Sequence, residues 1–109
     1  MELQEIQQLL RQERYEVSSH AQQERLEENL DIEQIEEALV KSGEILEQYP
    51  NDPRGESCLL LGFAGDVAIH VVVGWSTSKR DEERVLRLIT VYKPTLPKWL
   101  DPRTRGGQT

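Results

Sequence analysis

The segment SCLLLGFAGDVAIHVVVGW, Ser57–Trp75, decides the fold of this chain. Its two arms, Ser57–Ala64 and Val67–Trp75, are rich in Val, Leu and Ile, and such side chains pack well on the pleated surface of a β-sheet. The dipeptide Gly65-Asp66 between them is a two-residue turn of the kind that needs positive φ angles. The segment therefore predicts an antiparallel β-hairpin.

The turn also fixes which side chains share a face of the hairpin, because side chains alternate along a strand. Counting outward from the turn places Leu61 opposite His70 and Leu59 opposite Val72. Both faces then carry apolar residues. We expect helices to cover one face, and we expect the face that bears His70 either to have another cover or to be a binding surface.

Three amphipathic helices are predicted before the hairpin. Ser18 or Ser19 is a natural N-cap for the second helix, and Asp31 with Gln34 three residues later has the pattern of a capping box for the third. Gly43 is expected to end the third helix in a left-handed conformation. Apolar residues at helical spacing form the inward stripes of the first and third helices: Leu3, Ile6 and Leu10, then Ile32, Ile35 and Leu39.

Two further strands flank the hairpin in the sequence, a short edge strand at Glu44–Tyr49 and a longer strand at Arg84–Lys93. The prediction is therefore an α+β fold in which N-terminal helices pack on a three- to four-stranded antiparallel sheet. Residues 1–99 are expected to form a single domain with Trp99 docked on it, and residues 100–109 are expected to form a flexible C-terminal tail.

With 109 residues, 37% of them hydrophobic and 30% charged, the chain suits one small globular domain. The longest apolar runs are far too short to span a bilayer, and the start MELQEIQQLLRQER lacks the basic and apolar regions of a secretion signal. The single cysteine, Cys58, cannot form an internal disulfide. These features predict no membrane association and a cytoplasmic location.

The net charge of −7 is unevenly distributed along the chain. Residues 1–56 carry 5 Lys and Arg against 15 Asp and Glu, whereas residues 57–109 carry 8 against 5. The second part therefore has a charge of +3. Its basic side chains either gather on one surface that binds an anionic partner, or are spread over an evenly solvated exterior.

The sequence holds neither a Gly-rich phosphate loop nor a pair of cysteines for zinc. His20 and Glu24, four residues apart on a helix, have the spacing of two metal ligands, but no third ligand is evident. No metal and no cofactor are therefore expected. His20 itself, in the first turn of a helix, either accepts a proton as a neutral imidazole or stabilises the start of the helix.

Three more side chains are candidates for function. His70 lies in a central strand and is either a core histidine or a functional group on the uncovered face. Arg54 follows the turn residues YPNDP, and is either a solvated side chain or is held rigidly and aimed toward the face that bears His70. Tyr92 ends the last strand, where it is suited either to the core or to contact with a phosphate.

The series YEVSSHA, IEEALVKSGEILEQYPNDPRGESCLLLGF, HVVVGW and LITVYKP, followed by Trp99, resembles a widespread family of small bacterial domains placed near the RelE, BrnT and MqsR-like toxins. The resemblance runs from about Tyr15 to Trp99, and YPxDPRGxSCLLLGF is its most specific part. It implies a RelE-like fold, with helices on one side of an antiparallel sheet and a nucleic-acid surface on the other. It also implies a cognate antitoxin as partner, often a small protein with a CxxC zinc module.

The resemblance further implies the toxin component of a type II toxin–antitoxin pair, a metal-independent endoribonuclease that acts on mRNA. By residue type, His20 or His70 would act as base or acid, Arg54 would hold the phosphate and Tyr92 would contact it. The alternative is a non-catalytic interaction domain of the same fold, which binds a protein partner or forms a homo-oligomer. Whether the cationic and titratable side chains converge distinguishes the two hypotheses.

Overall fold

The computed structural model describes residues 1–77 and 84–106 of the chain. Helices and strands follow one another in an α+β arrangement, as the sequence predicts. The elements are α1 (Leu3–Arg11), β1 (Tyr15–Val17), α2 (Ser19–Glu27), α3 (Ile32–Ser42), β2 (Glu44–Tyr49), β3 (Ser57–Ala64), β4 (Val67–Trp75), β5 (Leu86–Tyr92), β6 (Trp99–Asp101) and β7 (Thr104–Arg105).

Five strands form the main sheet, in the order β1-β5-β4-β3-β2. Strands β2 to β5 make an antiparallel meander, and β1 is added at one edge, parallel to β5. The predicted three- to four-stranded antiparallel sheet is therefore wrong in strand number and in the direction of one strand. Tyr15–Val17 gives no strand signal of its own because three residues are too few for an alternating pattern.

The central hairpin has the predicted register. Leu61 pairs with His70 and Leu59 pairs with Val72, and Gly65 in the turn has a φ of 63°. The register prediction is confirmed because a two-residue turn leaves the following strands no freedom to slip.

One face of the sheet is the main core. The inward stripes of α1 and α3 meet side chains that alternate along β3, β4 and β5, and each fully buried aliphatic side chain stabilises the fold by about 1.5–3 kcal/mol. α2 lies along the edge of β5 beyond the end of β1, where it supplies partners for the backbone of that strand. Among the buried side chains of this core, the helices contribute Ile6, Leu10, Ile35 and Leu39, and the strands contribute Leu60, Val71, Val73 and Leu88.

The helix ends agree with the sequence at two of three positions. The hydroxyl of Ser18 accepts the backbone N–H of Ala21, and the side chain of Gln34 accepts the backbone N–H of Asp31 at 2.8 Å. Gly43 is extended, with a φ of −66°, so the left-handed stop is wrong. The chain runs directly from α3 into β2 here, and a Cβ atom at Gly43 would lie 2.1 Å from the carbonyl oxygen of Leu39.

The predicted flexible tail, residues 100–109, contains ordered structure as far as residue 106, and its last three residues lie outside the described residues. β6 and β7 pair as a small second sheet, a C-terminal hairpin, and Trp99 is only 2% exposed, as its predicted docking requires. None of the helices in residues 1–77 and 84–106 is long and apolar enough to cross a membrane.

Candidate functional site

The face of the sheet that points away from α1 and α3 is divided into two parts. We define the covered half by Leu59, Leu61, His70 and Tyr92, which lie beneath or beside the C-terminal hairpin. We define the open half by Ser57, Val72, Gly74, Ile89 and Thr90, which line a groove at the other end of the same strands. Leu59, Leu61 and His70 are almost fully buried, whereas Val72, Ile89 and Thr90 remain partly accessible.

His70 is the centre of the covered half. Its Nε2 lies 2.8 Å from the carbonyl oxygen of Pro102, so this nitrogen carries the proton and donates it. Its Nδ1, 3.0 Å from the hydroxyl of Tyr92, then accepts. The ring packs edge-to-face on Trp99 at a centroid distance of 4.4 Å. Both nitrogens of His70 are thus occupied: Nε2 holds the C-terminal hairpin on the sheet, and Nδ1 binds Tyr92 of the neighbouring strand β5.

Burial lowers the pKa of His70, although its hydrogen bond to the carbonyl of Pro102 acts in the opposite direction. The imidazole is therefore neutral near pH 7, in agreement with the tautomer that its two partners require. Burial also raises the pKa of Tyr92. The histidine and the tyrosine that were predicted as site residues do lie together, but His70 is fully buried there and Tyr92 is only partly accessible.

Ion pairs fasten the same hairpin from outside. Arg105 Nη2 lies 2.8 Å from Glu47 Oε1, and its guanidinium group stacks over Trp99 at 4.6 Å from the ring centroid. Arg103 forms a bidentate contact with Glu44, with distances of 3.0–3.1 Å. The hydrogen bond from Arg105 is the main reason that the pKa of Glu47 is lowered. The cover is therefore held by an aromatic ring, a histidine and two Arg–Glu pairs.

His20 lies elsewhere. It is 66% exposed on α2, and its Nε2 is 3.2 Å from Glu24 Oε2. The other oxygen of Glu24 accepts the backbone N–H of Val91 at 2.9 Å. His20 is therefore placed against a carboxylate that docks α2 on the edge of β5, and it shares no contact with His70, Arg54 or Tyr92 among the described residues.

A β-bulge shapes the open half. Val72 pairs with Thr90 and Val73 pairs with Leu88, so Ile89 is the extra residue on β5. The N-cap Ser18 satisfies this bulge, because its hydroxyl donates to the carbonyl oxygen of Ile89 at 3.0 Å. The bulge brings Ile89 and Thr90 to the same groove, as bulges commonly re-aim side chains beside functional sites.

The groove has a volume of about 640 Å³, which is within the usual range for ligand pockets. Val72, Gly74 and Ile89 contribute an apolar lining from the sheet. Trp75 borders the groove, but its side chain packs against the main core. The loop between β2 and β3 borders it with polar groups. The remaining lining residues are Tyr49, Asp52, Arg54, Gly55, Glu56, Ser57, Ser76, Thr77, Arg87 and Thr90.

Arg54 projects from a tight turn in that loop. Asp52 Oδ1 accepts the backbone N–H of Arg54 at 2.9 Å, and the backbone N–H of Gly55 reaches the carbonyl oxygen of Asp52 at 2.9 Å. Gly55 has a φ of 120°, which favours glycine. The loop does hold Arg54 in a defined position, but beside the open half. The open half belongs to the face that bears His70, toward which Arg54 is predicted to be aimed, but His70 itself lies under the C-terminal hairpin and does not line the groove.

The arginines that the structure describes in the second part of the chain are engaged in ion pairs. Four of its arginines, among the residues that the structure describes, pair with glutamates of the first part at N–O distances of 2.7–3.4 Å. The two oppositely charged parts of the sequence thus neutralise each other across the fold. The pairs are Arg84–Glu5, Arg87–Glu16, Arg103–Glu44 and Arg105–Glu47.

Sequence reasoning did not single out Trp75, Ile89 or Thr90 as site residues. The apolar residues Trp75 and Ile89 look like ordinary strand residues, and only the polar Thr90 within the run LITVY signals an exposed position. A bulge has no reliable signature in one sequence. Across the described ranges, no group of three or more His, Cys, Asp or Glu side chains is placed to hold a metal ion.

The architecture defines an α+β protein whose mixed sheet carries helices on one face and, on the other, a groove beside a docked hairpin. A family model described as "Domain of unknown function (DUF4258)" matches residues 17–93, and the chain therefore belongs to this family. No curated protein and no solved structure matches the chain. The matched segment contains every residue of the groove and ends before the C-terminal hairpin.

Proposed function

We propose that this chain is a binding domain that holds a segment of a protein partner in the groove of the open half. The observation that carries the proposal is the combination of a partly accessible apolar lining, Val72 and Ile89, with a rigid loop that borders it. Monomeric domains seldom leave the middle of an apolar sheet face uncovered unless it binds something. The antitoxin that the sequence resemblance implies would be one such partner.

The groove suits binding better than metal-independent RNA cleavage, which needs a general base and a general acid next to the phosphate. The titratable hydroxyl in the groove, that of Tyr49, is hydrogen-bonded to Glu47, and burial together with this bond raises its pKa to about 12. The carboxyl group of Asp52 has a lowered pKa, chiefly because it accepts the backbone N–H of Arg54. Neither histidine lines the groove. Endoribonuclease activity stays a prediction.

The test is a selection of peptides that bind the purified full chain from a displayed library of random 12-residue peptides. Selected peptides are then measured against Val72→Glu, which places a charge in the groove, by fluorescence anisotropy. Val67→Glu is the matched control, because Val67 lies on the same strand, is 43% exposed and does not line the groove. We expect Val72→Glu to abolish binding and Val67→Glu to preserve it.

Circular dichroism must show that both variants remain folded, and Thr90→Arg, at the paired and also partly accessible position on β5, replaces Val72→Glu if the latter unfolds. Peptides whose affinity is the same for all variants would contradict the proposal. In parallel, a labelled single-stranded RNA is incubated with the wild-type chain at low salt. RNA cleavage that is lost in His20→Ala or Arg54→Ala would favour the endoribonuclease hypothesis instead.

A further inference from the structure

We propose that Arg54 is a carboxylate-binding residue of this groove, so that the partner segment is an extended, largely apolar peptide that presents one Asp or Glu side chain to it. The inference rests on the proposed function, since it names the chemistry of the partner for the same groove. It is based on which charged groups around the open half are paired within the protein and which are not.

The guanidinium group of Arg54 makes almost no contact with the rest of the protein. Its side chain is 90% exposed, and its one ion-pair contact among the described residues is a long one, 3.4 Å from Nε to Asp52 Oδ1. Guanidinium has five N–H donors in a planar fork that matches a carboxylate. Both Nη groups are therefore available for a bidentate contact, and the turn at Asp52 fixes the backbone that carries them.

The acidic residues that border the groove are, by contrast, engaged within the protein. Asp52 Oδ1 accepts the backbone N–H of Arg54, and Glu56 accepts the indole N–H of Trp75 at 3.3 Å and the amino group of Met1 at 3.0 Å. Arg87 also lines the groove, but its Nη1 is held by Glu16 at 2.7 Å. Arg54 is therefore the cation of the groove with the weakest internal ion pair.

The apolar part of the groove selects a peptide rather than a nucleic acid. A nucleic acid needs several cations along its backbone, whereas the four arginines that the structure describes in the second part of the chain are paired with glutamates. A peptide needs an apolar surface for its side chains and few charges, which Val72 and Ile89 with Arg54 provide. The net charge of −7 repels a strongly acidic partner, which is why one carboxylate is inferred and not an acidic run.

The peptides selected on the full chain test the inference. We expect them to be enriched in a single Asp or Glu among apolar residues. For one such peptide, replacing the acidic residue by its amide should weaken binding by about tenfold, the usual size for one charge-assisted hydrogen-bonded pair. Arg54→Gln should weaken binding of the acidic peptide by the same factor and leave the affinity for the amide peptide unchanged. Lys41→Gln, which removes an exposed cation of α3 outside this groove, is the control and should change neither.

The outcomes separate the two levels of the proposal. Peptides that depend on Val72 but show no acidic enrichment and no response to Arg54→Gln overturn the carboxylate site and leave the binding groove in place. An absence of any peptide that depends on Val72 overturns both. Displacement of the acidic peptide by a 12-nucleotide single-stranded RNA, lost in Arg54→Gln, also overturns the inference, because Arg54 would then serve a phosphate.

Discussion

The covered half and the open half of the sheet face are built on the same two central strands, and they differ in what lies above them. His70 pairs with Leu61 beneath the C-terminal hairpin, whereas Gly74, four residues further along the same strand, pairs with Ser57 in the groove. The large side chains of His70 and Leu61 therefore lie under the C-terminal hairpin, whereas the small residues Gly74 and Ser57 leave room for the groove. The comparison teaches that one strand pair can serve both as core and as binding surface when residue size changes along it.

The groove and the C-terminal hairpin that covers the other half differ in their relation to the family. Residues 17–93 are the matched segment, so the groove is built entirely within it. The hairpin that covers His70 begins at Trp99, beyond the segment. Experiments are expected to separate the two halves because one is buried and the other is partly accessible. Changes in the covered half should affect folding, and changes in the open half should affect binding.

The largest effect is expected for Trp99→Ala. Removal of a buried Trp or Phe side chain typically costs about 3–5 kcal/mol, and the loss of Trp99 also uncovers His70. The free energy of unfolding is measured with urea. Leu100→Ala is the control, because this neighbouring side chain is 57% exposed, and it should leave the unfolding midpoint nearly unchanged. Equal effects of the two changes would contradict a docked hairpin.

A smaller effect is expected for His70→Leu, which keeps an apolar group in place but leaves the carbonyl of Pro102 and the hydroxyl of Tyr92 without their partner. Each unpaired buried group costs about 1 kcal/mol or more, so we expect a loss of about 2 kcal/mol in urea unfolding. Tyr92→Phe removes only one of the two hydrogen bonds and should cost about half as much. A neutral or stabilising His70→Leu would show that the histidine does not hold the hairpin.

The third expected effect is a pH dependence that belongs to the covered half. Burial places the pKa of His70 below its ordinary value in the folded protein, so below about pH 6.5 the unfolded chain takes up a proton that the folded one does not. The contribution of neutral His70 to the free energy of unfolding is fully present above pH 6.5. It is lost as the pH falls toward the pKa of His70 in the folded protein, by at most about 1.4 kcal/mol per pH unit. Urea unfolding at pH 7.5, 6.5 and 5.5 measures it. The slope should disappear in His70→Leu, and a slope that persists would assign it to other groups.

The smallest effect on stability is expected in the open half. Arg54→Ala removes a side chain that is 90% exposed and should leave the unfolding midpoint unchanged. The same variant should bind more weakly to the acidic peptides that are selected on the wild-type chain. Gly55→Ala is a useful companion, because a φ of 120° is unfavourable for alanine and the change should disturb the loop that carries Arg54. A clear destabilisation by Arg54→Ala would mean that the loop is part of the core.

Much of the fold could be predicted because it depends on local patterns. The hairpin register follows from a two-residue turn, and the helices follow from apolar spacing and caps. β1 could not be predicted, since a strand of three residues exists only because β5 offers it an edge. The candidate site was harder: His70 and Tyr92 are together because of their register, but a cover formed by the last residues decides that they are buried. The groove depends on a bulge that only the paired strands reveal.

The parallel pairing of β1 with β5 also has a consequence for the order in which the chain can fold during translation. The hydroxyl of Ser18 and the carbonyl of Ile89 that it binds are 71 residues apart in the sequence, and β1 pairs with β5 over a similar separation. At roughly 5–20 residues per second, a ribosome makes that stretch in about 4–14 s. Throughout this interval β1 has no strand to join and the edge that α2 covers does not exist. The N-terminal segments must therefore wait until β5 has been made, and a nascent chain that ends before β5 would expose them to proteases and chaperones.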